Sequence, residues 1–140
     1  MSEKVNRKGK VLLIIVGIIM TAGGAIGILA GAAALLGIIT FTSSIDMRSG
    51  VAVMIAVAIS VIASGTMHLV AGIVGIRKSG SVQAYKQCLP LGIACIALVI
   101  LSNIINAAAG YDLDIGSLLL GIALPMLYIA AAYLNKKEMS

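Results

Sequence analysis

Residues 11–41 read VLLIIVGIIMTAGGAIGILAGAAALLGIITF, and none of them is charged. An unbroken helix of that length is roughly 46 Å long, against a hydrocarbon core of about 30 Å. The run therefore crosses a bilayer with residues to spare, either by tilting or by reaching the headgroups. Inside it Gly23, Gly27 and Gly31 recur at every fourth position and stack on one helix face. In lipid, apolar helices gain nothing by hiding from water, so small residues that admit close backbone approach drive their packing. This face is expected to be a helix–helix seam, with Gly65, Gly72 and Gly121 as further packing positions.

Working outward, three more apolar segments follow at about 51–76, 87–110 and 113–134. Each is long enough to span, and each must be a helix, because a lone apolar strand leaves its backbone unsatisfied in lipid. Pro90 is expected in the first turn of the third segment, where a missing N–H costs nothing. The fold class is thus all-α, a single integral membrane bundle of four transmembrane helices in two up-down hairpins.

Composition agrees. The chain has 140 residues, 61% hydrophobic and 11% charged, where a soluble domain carries about 25% charged. No stretch is left for a soluble catalytic domain, so any chemistry would have to occur at membrane depth. The net charge of +5 does not call for nucleic acid. Nine of the ten Lys and Arg residues flank the apolar segments at one end of the bundle: Lys4, Arg7, Lys8, Lys10, Arg77, Lys78, Lys86, Lys136 and Lys137. The opposite connections hold Arg48 beside Asp46, Asp112 and Asp114. The positive-inside rule then places both termini in the cytoplasm, N-in and C-in. Phe41 and Tyr111 fall at the outer boundary and Tyr85 and Tyr133 at the inner one, where aromatic rings settle. The N-terminal apolar run is about twice the length of a signal-peptide core, so it is read as an uncleaved anchor. The absence of Trp, the short connections and the richness in Gly, Ala and Ile suggest a bacterial cytoplasmic membrane.

Polar residues mark a candidate intramembrane site. Ser64, His68 and Gly72 follow one another at four-residue spacing on the second segment, and Asn103 and Asn106 stand on the third. Lipid offers such groups no hydrogen-bond partner, so they face the bundle interior or a water-filled cavity. His68 is the sole histidine. Counting from the helix ends puts Thr21, Cys95 and Tyr128 at its depth, and Tyr128 is the expected partner of its imidazole. Asn103 and Asn106 are expected to bond across to a neighbouring helix. Cys88 and Cys95 stand seven apart on one helix, too far for a disulfide, and read as two free thiols. No cofactor or metal site is expected, and no catalytic residue is assigned.

In size and topology the chain is similar to small four-helix drug exporters, which use an embedded Glu in the first helix. Here no span holds an acidic residue, which excludes proton coupling by a carboxylate. Two functional classes lead, with an intramembrane enzyme ranked below both. The preferred one is a non-catalytic accessory or assembly protein, whose glycine face packs against itself or another membrane protein. The alternative is an oligomeric transporter or channel for a small neutral solute, with a polar path past His68. A closed, dry bundle would favour the first, and a cavity reaching His68 the second.

Overall fold

The four helices are α1 (Lys8–Thr42), α2 (Arg48–Lys78), α3 (Ala84–Ala108) and α4 (Ile115–Met139). The computed structural model describes residues 8–42, 48–81, 83–110, 112 and 115–139, without the side chains of Phe41, Thr42, Arg48, Ser49, Ser117 and Met139. The expectations for Asp46, Tyr111 and Asp114, and for the side chains of Phe41 and Arg48, fall outside the described residues. Each helix is long and apolar enough to cross a membrane.

The helices overrun their apolar segments by about a turn at most ends. Lys, Arg, Gln and Glu are good helix formers, so a charged flank ends the apolar run without ending the helix. One consequence corrects an expectation. Because α3 begins at Ala84, Pro90 stands in its second turn and not its first, and leaves the Lys86 carbonyl without its usual N–H. Between α2 and α3 the connection is tied by Ser79 Oγ donating to the Ile76 carbonyl at 2.9 Å and by the Gln83 N–H donating to Ser81 Oγ at 3.1 Å. Helix α3 ends at Gly110, whose φ of +83° is the left-handed conformation that closes helices and suits glycine.

Helices neighbouring in the chain are neighbours in space, and α4 packs back on α1 to close the ring. The tightest joint is α1 on α2, and its register is set by small residues seven apart. Gly17 faces Gly72, Gly24 faces Gly65, and Gly31 faces Ala58. Each pair of numbers sums to the same value, as an antiparallel pair with a seven-residue repeat requires. A Cβ on Gly24 would stand 2.5 Å from the Gly65 carbonyl oxygen, and one on Gly65 would stand 2.8 Å from the Gly24 carbonyl oxygen. The backbones touch there.

The glycine seam is therefore placed differently from the four-residue count. Gly31, Gly65 and Gly72 do pack in it, and Gly121 packs α4 against Val99 of α3. A Cβ on Gly27 would make only ordinary contact with Gly65, 3.4 Å from its Cα. Gly23 is exposed and a Cβ there would meet nothing within 4 Å. The seam follows a seven-residue repeat because two helices coiling around each other meet every two turns, while a strict four-residue row drifts off the contact line.

The core fills only half of the length. Leu13, Val16, Met20, Ala71, Ala84, Cys88, Cys95, Tyr128, Ala131 and Ala132 form one buried cluster, all toward the end that carries Gly9, Ser79 and Asn135 (the proximal end). There α1 and α4 are locked: Gly9 sits on the backbone of Asn135, and its N–H donates to Glu138 Oε2 at 2.9 Å. Distal to Gly24, Gly65, Val99 and Pro125, Gly31 and Ala58 are the only buried positions among the described residues. The α1–α2 and α3–α4 hairpins part beyond that level.

Candidate functional site

Where the hairpins part, a cavity of about 360 Å³ is lined from all four helices. Its glycine wall is α1, through Gly23, Gly24 and Gly27, with Gly121 of α4 across from it. Polar groups come from the other two helices: Ser64 and His68 from α2, Ser102 and Asn103 from α3. Among the described residues no acid, Lys or Arg lines it, and His68 is its one ionisable side chain.

Hydrogen bonding fixes how these groups face the space. His68 Nδ1 lies 2.8 Å from the Ser64 carbonyl oxygen, one turn back on the same helix. A carbonyl only accepts, so Nδ1 carries the proton. Asn103 Nδ2 donates to the Val99 carbonyl at 2.8 Å, again within its own helix. Ser64 Oγ and Ser102 Oγ make no hydrogen bond among the described residues. The other hydroxyls behave differently: Thr21, Ser60 and Thr66 bond back to the carbonyls of Gly17, Val57 and Ile62 at 2.8, 2.7 and 2.8 Å. Those groups are satisfied locally, as hydroxyls in helices commonly are.

A second cavity of about 330 Å³ continues the first along the α1–α2 hairpin. Ala30, Ala34 and Ile38 line it on one side and Met54 and Val57 on the other, and Val61 borders both spaces. From His68 to Met54 the furrow follows α2 for roughly 21 Å at the helical rise. Gly23, Ala30 and Ala34, which border it, are exposed.

The proposed layer around His68 separates into two levels. His68, Ser64 and Asn103 come together at the cavity. Tyr128 belongs to the packed core beneath it: its hydroxyl donates to the Ala71 carbonyl at 2.6 Å, and its ring lies against Gly75. It does not pair with His68. Cys88 and Cys95 are buried in the same core as that hydroxyl, and Thr21 lies against Gly72 in the α1–α2 joint. Asn106 lies beyond the cavity lining and its side chain makes no hydrogen bond among the described residues. Neither asparagine bonds across to another helix. The two cysteines are free, and among the described residues no three of His, Cys, Asp and Glu gather in one place.

Several positions that build the site carry little signal in the sequence. Gly17 and Gly24 complete the joint and Ser102 supplies a hydroxyl unpaired among the described residues, while Asn135, outside the cavity at the proximal end, is fully buried with neither its amide nitrogen nor its oxygen bonded among them. The seven-residue spacing of Gly17, Gly24 and Gly31 was the one signal available for the joint.

No protein family, curated protein or solved structure matches the chain.

Proposed function

We propose that this chain is a non-catalytic integral membrane protein of four spans that acts by binding another membrane component in its distal cleft. The observation that carries this reading is the half-filled core. A bundle that serves only as a stable scaffold closes along its whole length, whereas here the hairpins part over a polar pocket and a furrow of small residues. Small residues at an open helix face are what a close-fitting membrane partner requires. Gly23, Gly27, Ala30 and Ala34 provide that face, while Gly31 is occupied in the α1–α2 joint. The accessory role expected from the glycine run is thus retained with a different set of residues.

The basic residues Lys8, Lys10, Arg77, Lys78, Lys86, Lys136 and Lys137 all stand at the proximal end, which supports placing that end in the cytoplasm of a bacterial cell. Tyr85 and Tyr133 pack edge to face at 5.9 Å there, with Lys136 Nζ 5.1 Å from the Tyr85 ring. Such a belt suits a headgroup boundary.

The cavity at His68 favours a second reading, carriage of a small neutral solute. A through path would have to cross the core formed by Met20, Cys95 and Tyr128, so transport requires that core to open. A photo-crosslinking residue at Ala30 separates binding in the cleft from a lipid-facing role. Discrete adducts at Ala30, with only lipid adducts at Ile15 on the outer face of α1, support the binding reading. Lipid-only adducts at both positions sink it.

A further inference from the structure

We infer that the cavity at His68 is a site for a neutral, hydroxyl-bearing amphiphile, with the hydroxyl proton donated to His68 Nε2 and the apolar body lying along the α1–α2 furrow. This rests on the reading of the cleft as a binding site and adds the chemistry of what enters it.

The argument runs through the direction of the hydrogen bonds. The Ser64 carbonyl holds the proton on Nδ1 of His68, so in the uncharged ring Nε2 presents a lone pair. The Val99 carbonyl takes the Nδ2 of Asn103, which leaves its Oδ1 as the group without a partner. Two helices thus offer acceptors to one space, and neither acceptor has a donor among the described residues. His68 and Asn103 are partly buried, and a ligand hydroxyl gives an acceptor in such a cleft a donor that strengthens as water is excluded. The hydroxyls of Ser64 and Ser102 can turn to donate to the oxygen of the same ligand.

Charge narrows the class further. With no carboxylate in the lining, a cationic donor such as an ammonium would stand without a counter-charge at low dielectric. A neutral alcohol or phenol has no such cost. The cavity volume of about 360 Å³ lies within the range of small-molecule sites, about 300–1,000 Å³. The furrow that leads away from it is bordered by Ala30, Ala34, Val57 and Val61 and offers no polar side chain, which suits an alkyl or ring body and not a second head.

The test uses the intact chain in lipid nanodiscs, labelled with ¹⁵N at its single histidine. Without ligand, the imidazole nitrogens should report the Nδ1–H tautomer. Para-hexylphenol should bind saturably, shift the Nε2 resonance, and bind about five- to tenfold more tightly than para-hexylanisole, which differs only in lacking the donor proton. His68→Phe should abolish that preference. Gly23→Leu adds a side chain at a cavity position where a Cβ meets nothing within 4 Å, so it should fill the site without unfolding the bundle and abolish binding of both probes. Equal binding of phenol and anisole would overturn the hydroxyl assignment and leave the cleft as a binding site. An Nε2–H tautomer would overturn it on structural grounds. Binding of either probe that survives Gly23→Leu would place the probe elsewhere and overturn the site itself.

Discussion

Gly24 and Gly65 face each other across α1 and α2 so closely that each carbonyl oxygen occupies the space the other residue's Cβ would need, 2.5 Å in one direction and 2.8 Å in the other. The obstructing atoms are backbone, which cannot swing aside as a side chain can. Gly24→Ala or Gly65→Ala should therefore separate the helices and lower stability by about 1–3 kcal/mol, the usual range for an overpacked core. Gly23→Ala, one position away and open, should change it by less than about 1 kcal/mol. Reversible unfolding in mixed micelles measures both, and equal effects of Gly23→Ala and Gly24→Ala would disprove the seven-residue joint.

Tyr128 separates packing from hydrogen bonding. Its hydroxyl bond to Ala71 is short, but such bonds in membrane proteins average about 0.6 kcal/mol and reach at most about 1.7. Tyr128→Phe should be nearly as stable as the parent. Tyr128→Ala should lose about 3–5 kcal/mol, because it empties the centre of the buried cluster. Similar losses for the two variants would mean that the hydroxyl holds the core together.

Asn135 is fully buried and its side-chain amide makes no hydrogen bond among the described residues. A buried polar group left unsatisfied costs about 1–3 kcal/mol. Replacement by an apolar side chain of comparable volume should recover part of that cost, so Asn135→Leu is expected to raise thermal stability. A drop in melting temperature would show that the amide has a partner in the native membrane.

Glu138 supplies a carboxylate to the first turn of α1, where helix N–H groups lack intrahelical partners. Glu138→Ala should quicken hydrogen exchange at the amide of Gly9 by about two- to fivefold and leave the Gly24–Gly65 level unchanged. Unchanged exchange at Gly9 would show the contact to be energetically idle.

For topology, single cysteines at 78 and 112 should label from opposite sides of the membrane, 112 from outside. Labelling of position 78 from outside would reverse the orientation drawn from the basic residues.

The four helices were readable in the sequence because long uncharged runs interrupted by Lys, Arg, Asp and Gly admit no other structure of this length. Helix pairing was only half readable. Gly23, Gly27 and Gly31 form the denser row, but coiling selects residues seven apart; Gly17 stands between Val16 and Ile18, and Gly24 is masked by the adjacent Gly23 of the denser row. The depth of Tyr128 was misjudged for a related reason. A count from the helix ends assumes that α2 and α4 end level, whereas α4 extends further at the proximal end, with Asn135 against Gly9, so Tyr128 falls beside Ala71 and Gly75. His68 and Asn103 were identifiable as inward-facing groups. Their carbonyl partners were not, because each bonds within its own helix and not to the helix across from it.

The pairing of Gly17, Gly24 and Gly31 with Gly72, Gly65 and Ala58 has a consequence for the order in which the molecule is made. All six residues lie before Lys78, so the first hairpin has its whole mating surface as soon as α2 leaves the ribosome. Gly9 must wait for a partner 129 positions downstream. Synthesis thus delivers a finished rail first and a late clamp second, and until α4 arrives the small-residue furrow and the His68 level of that rail stand uncovered on one side.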